Sequence, residues 1–164
     1  MMTWQEHLQT VLSRWKGTPY AAGQHCVGAG VDCRYFVVMV LDELFGITSP
    51  LPRRRNTFTG VFDLDGALDA MREIVARYPN EQVELPPADF QMPPAFPGQP
   101  GDIVLARNKF EPGVHPAHLG IVGLRQGEVW HASVSGVYPT SIGALGSSIE
   151  RLWRPLNKES WAVA

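Results

Sequence analysis

The chain changes character near residue 100, and that change limits what it can fold into. Before it, apolar residues recur at helical spacing; after it, they come in short runs divided by turn signals. Trp4, Leu8, Val11, Leu12 and Trp15 fall on one face of an amphipathic helix, closed by Gly17 and Pro19. Leu64, Leu68, Met71, Ile74, Val75 and Tyr78 trace another, ended by Pro79-Asn80. Between these helices, Val37 through Leu41 is continuously apolar. Such a β-branched run would suit a buried strand, but its length predicts a helix with Asp32 as N-cap and Gly46 as C-cap. An all-apolar stretch within a helix implies burial on most sides. From Gly101 onward, residues 102–106, 118–124 and 128–133 read as strands, with Val137-Tyr138 and Leu152-Trp153 as weaker candidates. Helices followed by a meander of strands describe an α+β domain.

Residues 86–100 hold six of the 14 prolines and cannot be regular structure. Neither flank would form a full core alone, so residues 1–164 read as a single domain with a Pro-rich internal loop at 86–100. The glycine-rich stretch 17–32 reads as an irregular loop, and there is no internal repeat. With 45% hydrophobic and 18% charged residues, the chain can bury a core without disulfide or metal staples. A net charge of −2 gives no electrostatic footprint for nucleic acid. No apolar stretch approaches the length of a membrane span. The N-terminal residues lack a signal-peptide apolar region. The expectation is a protein cytoplasmic as synthesised, with any role outside the cell needing another export route.

Two cysteines, Cys26 and Cys33, are too few for a disulfide scaffold or a four-cysteine zinc site. Cys33 sits at the start of the apolar helix, where free N–H groups and the helix dipole favour the thiolate. On that basis iodoacetamide is expected to label Cys33 ahead of Cys26, which lies in the loop as a bystander thiol. A Cys26–Cys33 disulfide acting as a redox latch is the other use of the pair. A reactive thiol needs a base. His7 lies on the polar side of the first helix, His25 in the glycine loop, and His115, His118 and His131 in the strand half.

The geometry of the last two can be argued. If 118–124 and 128–134 form a hairpin with a four-residue loop, Leu124 to Gly127, then His131 opposes Gly120. His118 and His131 are then diagonal neighbours on one face, within reach of each other. An odd-numbered loop would break the inference. A nucleophile, a base and a group orienting that base follow the logic of covalent catalysis. The chemical rival is a zinc site from Cys33, His118, His131 and His115, which lacks a closely spaced ligand pair. His115, before a proline, reads as a solvent or groove-lining residue. Asp32 reads as a cap and not a catalytic acid, and Trp130 should point into the core opposite His131. Arg53-Arg54-Arg55, the densest basic run, is either a contact for anionic material or a solvated loop.

Gly17-Thr-Pro-Tyr20, Gly30-Val-Asp-Cys33, Pro100-Gly-Asp102-Ile-Val, His118-Leu-Gly-Ile-Val-Gly123 and His131-Ala-Ser together resemble the ordered motif series of the NlpC/P60 family. That family consists of papain-like cysteine peptidases acting on peptidoglycan stem peptides. The resemblance implies an α+β fold with the nucleophile helix packed against an antiparallel β-sheet, and neither a metal nor an organic cofactor. It implies Cys33 as nucleophile, His118 as general base, His131 as the residue orienting that base, and Tyr20 as a helper at the oxyanion. The substrate implied is a peptidoglycan stem peptide. Arg34-Tyr35 departs from the small Ser-Gly pair usual after the cysteine, so the resemblance carries no substrate specificity. The compact layout, with Trp153-Arg-Pro near the end, is more like members encoded with phage tails, which implies phage-tail or particle proteins as partners. A structural component of such a particle, or a thiol amidase or acyltransferase on another substrate, are the alternatives to a cell-wall hydrolase.

Overall fold

The computed structural model describes residues 1–51, 64–87, 95–107, 117–145 and 149–161. His115 and Arg53-Arg54-Arg55 lie outside the described residues. Helix α1 spans Trp4–Trp15, α2 Cys33–Phe45 and α3 Leu64–Val75, and a short α4 covers Ile142–Leu145. A six-stranded antiparallel sheet is built from β3 (Asn80–Gln82), β4 (Ile103–Arg107), β5 (Ala117–Val122), β6 (Glu128–Ser133), β7 (Gly136–Ser141) and β8 (Ile149–Pro155), in the order β3-β8-β4-β5-β6-β7. The α+β reading holds.

Helix α2 forms for the reasons its sequence suggests. The Asp32 carboxylate accepts from the Tyr35 N–H at 2.9 Å, and Gly46 ends the helix at φ 67°, a left-handed conformation that suits glycine. Phe36, Val37, Val38, Val40, Leu41 and Leu44 are all buried, so the helix is covered nearly all round. It packs across β5 and β6 on one side and against α1 on another. Asp42, which interrupts the apolar run, is itself buried. It accepts from Arg77 Nη2 at 2.7 Å and Tyr78 Oη at 2.6 Å, tying α2 to the end of α3.

Both faces of the sheet are covered. Ile103, Leu105, Leu119, Ile121, Trp130, Ala132 and Val137 join α1 and α2 in the larger core. Val104, Ala106, Val122, Val129, Ile142, Ile149 and Leu152 form a second cluster on the opposite face.

Three sequence readings change. The loop 17–32 contains a two-residue hairpin, β1 (His25–Cys26) with β2 (Gly30–Val31). Strand β3 is a polar edge strand that pairs with β8; Asn-Glu-Gln carries no apolar alternation to signal it. His7 is buried at 4% exposure, not solvated. It lies three residues after Trp4 and four before Val11, on the flank of the apolar stripe. The terminal turn Lys158–Ser160 packs against α1, with Trp161 edge-on to Trp4 at 5.6 Å. No helix among the described residues is long and apolar enough to cross a membrane.

Candidate active site

The hairpin register is the one that a four-residue loop dictates. Gly120 opposes His131, Val122 opposes Val129, and the Gly123 N–H bonds the Glu128 carbonyl at 2.9 Å, leaving Leu124–Gly127 as the loop. Gly127 takes φ 70°. His118 and His131 therefore share a face, and their rings meet edge-on with centroids 5.2 Å apart and planes at 69°. Trp130 points the other way and is buried in the larger core.

Glycine at position 120 makes this contact possible. A Cβ there would lie 2.7 Å from Val129 Cγ1, 2.9 Å from the Trp130 carbonyl oxygen and 3.4 Å from His131 Cβ. Gly120→Ala is expected to lower stability by about 1–3 kcal/mol through this overpacking. Urea unfolding measures it, and a loss below about 0.5 kcal/mol would show that β5 and β6 separate freely at this point.

Cys33 begins α2, which lies on the opposite face of the sheet from the two histidines. Where the β5–β6 ladder stops, the β5 backbone next to His118 reaches Cys33. That ladder closes at Gly120 and His131, while β5 runs on to Ala117 paired only with β4. In the gap, the Leu119 backbone N–H bonds the Cys33 sulfur, and Leu119 is the residue after His118. Tyr20 is brought to the same helix start by backbone pairing. The Val31 N–H bonds the Pro19 carbonyl at 3.0 Å and the Ala21 N–H bonds the Val31 carbonyl at 3.0 Å, placing Tyr20 beside Val31, two residues before the cysteine.

The thiol differs from the sequence expectation. Burial pushes its pKa up to about 11, and the adjacent Asp32 carboxylate adds to the rise. The N–H bonds from Leu119 and Arg34 and the Arg34 charge oppose this without cancelling it. The helix terminus alone therefore does not hold a thiolate, and the sulfur needs a base to become a nucleophile. Burial also holds the His131 imidazole below its usual pKa, so the ring is neutral at neutral pH.

Arg34 and Tyr35 are both half-buried at the helix start. The His25 ring packs on Tyr35 with centroids 5.3 Å apart, so hairpin β1–β2 docks on the first turn of α2. Cys26, on the same hairpin, is exposed; both thiols are free. No group of three or more His, Cys, Asp or Glu able to hold a metal ion occurs among the described residues. One participant escaped the sequence reading: Thr140, on β7, whose Oγ1 lies 2.7 Å from His131 Nε2. Only the β6–β7 register, Val129 opposite Thr140 and His131 opposite Tyr138, reveals it.

No protein-family model and no curated protein matches the chain. Solved structures do. A Staphylococcus aureus protein described as similar to a lipoprotein of the NLP/P60 family is 16% identical with a TM-score of 0.57, the match covering 94% of this chain and 42% of that one. NlpC2 from Trichomonas vaginalis is 13% identical with a TM-score of 0.54, covering 98% and 47%. NlpC1 from the same organism is 17% identical with a TM-score of 0.51, covering 92% and 44%. The chain spans less than half the length of each of these three proteins. At these identities the likeness is one of fold, and it agrees with the ordered motifs: the chain has the NlpC/P60 fold.

Proposed function

We propose that the chain is a thiol hydrolase that cleaves an amide bond in a peptidoglycan stem peptide. The observation that carries this reading is the gap in the β5–β6 ladder, where the Cys33 sulfur bonds the backbone next to His118 and His118 in turn packs on His131. His118 takes the proton from the Cys33 thiol as the sulfur attacks the carbonyl carbon. The oxyanion is held by the Tyr20 hydroxyl and by the Cys33 N–H, one of the donors a helix start leaves unpaired. The tetrahedral intermediate collapses, the C–N bond breaks, and His118 returns the proton to the leaving amine. Water, deprotonated by His118, then attacks the thioester, giving the carboxylate product and restoring the thiol. His131 orients His118 throughout.

A second reading is a structural component of a phage tail or similar particle that retains the fold. It is favoured by Arg34-Tyr35, two bulky residues at the start of the nucleophile helix, the second of them packed against His25. Defined stem peptides incubated with wild type and Cys33→Ala separate the two. Cleavage by the wild type alone supports the hydrolase. Cys33 acylation without peptide cleavage transfers the chemistry to another amide or ester, and no reaction with either protein leaves the particle role.

A further inference from the structure

We infer that Thr140 is a positioning residue for the histidine pair: its hydroxyl holds the His131 proton on Nε2 and leaves Nδ1 as a bare acceptor facing away from it. The inference rests on the roles proposed above for His118 and His131, and it adds a residue that no motif of the sequence includes.

The geometry is that of a pleat diagonal. Tyr138 opposes His131 across the β6–β7 ladder, and Thr140 is two residues further on the same face. The Thr140 Oγ1 to His131 Nε2 distance of 2.7 Å is a short hydrogen bond, which a hydroxyl can make as donor or acceptor. The other ring nitrogen decides between them. His131 Nδ1 is buried and has no hydrogen-bond partner among the described residues. A neutral imidazole carries one N–H. On Nδ1 that proton would be a buried donor without an acceptor; on Nε2 it has Thr140. Apart from the two histidines, the small cleft is lined by Val104, Ala106, Leu119, Gly120, Val129 and Leu145, whose side chains carry no acceptor. Burial keeps the ring in its neutral form, so this choice persists at neutral pH.

The consequence reaches the base. A His131 with a bare Nδ1 presents a lone pair and no second proton to its surroundings, and the His118 ring meets it edge-on at 5.2 Å. A neutral His131 fixed in this tautomer therefore packs on the base without placing a positive charge beside it. Thr140 touches none of the reacting atoms and acts through this tautomer alone.

Long-range ¹H–¹⁵N spectra of histidine-labelled protein test it without substrate. In the wild type, His131 is expected to show a protonated Nε2 and a bare Nδ1. In Thr140→Val, which keeps the shape and removes the acceptor, the two tautomers should mix, and Thr140→Ser should restore the wild-type pattern. With stem peptide, Thr140→Val is expected to lower kcat by about ten- to a hundredfold at unchanged KM, and Thr140→Ser by no more than about threefold. A wild-type His131 protonated on Nδ1, or a Thr140→Val spectrum identical to wild type, overturns the inference. The two readings fail separately. A tautomer that shifts in Thr140→Val in a protein cleaving no peptide supports the Thr140 role and removes the hydrolase; an active protein whose His131 ignores Thr140→Val does the reverse.

Discussion

Replacing Asp102 with alanine is expected to destabilise the protein by about 3–5 kcal/mol, lowering Tm by roughly 10 °C. Asp102 is fully buried and stands at the crossing of three segments. Arg154 on β8 reaches its Oδ2 at 2.8 Å through Nη2, and Lys158 reaches its Oδ1 at 3.3 Å. The Gln99 N–H bonds the same carboxylate at 2.9 Å, while Arg154 and Lys158 also bond the carbonyls of Pro97 and Pro100. The carboxylate therefore fastens the end of the Pro-rich loop to β8 and the terminal turn. Without it, the charges of Lys158 and Arg154 are left in a largely buried setting with only carbonyls to meet them. The triad as a whole need not add net stability against an apolar replacement; removing one member is what costs. Urea unfolding measures the change, and a loss below about 1 kcal/mol would show that the two cations relax into water.

Removing His118 is expected to uncouple Cys33 from its base. The thiol, raised to about 11, leaves about one sulfur in ten thousand ionised at pH 7. In His118→Ala, alkylation of Cys33 by iodoacetamide should therefore climb about tenfold per pH unit between about pH 7 and 10, following the thiolate fraction. The wild type should react faster at pH 7 by about 10²–10⁴, the usual contribution of a positioned base. Exposed Cys26 provides the internal reference, since its rate should not depend on His118. Equal Cys33 rates in wild type and His118→Ala at pH 7 would remove His118 as the base.

Local chemistry made much of this legible. The N-cap at Asp32 and the C-cap at Gly46 mark α2 in the sequence, and a four-residue loop fixes the register that puts His118 and His131 on one face. The parts that were not legible depend on distant segments. His7 reads as solvated from the helical pattern of α1 alone, and its burial emerges only on folding. Thr140 is invisible without the β6–β7 register, because its role lies on a diagonal between strands and not in a motif. The state of Cys33 was misread for the same reason. The helix terminus is local and visible, whereas the desolvation that outweighs it emerges only on folding. The gap in the β5–β6 ladder is likewise a tertiary feature, and it opens the β5 backbone next to His118 to the start of α2.

The most direct measurement is mass spectrometry of muropeptides released from purified peptidoglycan by wild type and Cys33→Ala. Cleavage by the wild type at one type of amide bond, each product pair gaining one water, with no cleavage by Cys33→Ala, is the expected result. Intact muropeptides after wild-type digestion, or the same products from Cys33→Ala, would contradict a Cys33-dependent stem-peptide hydrolase.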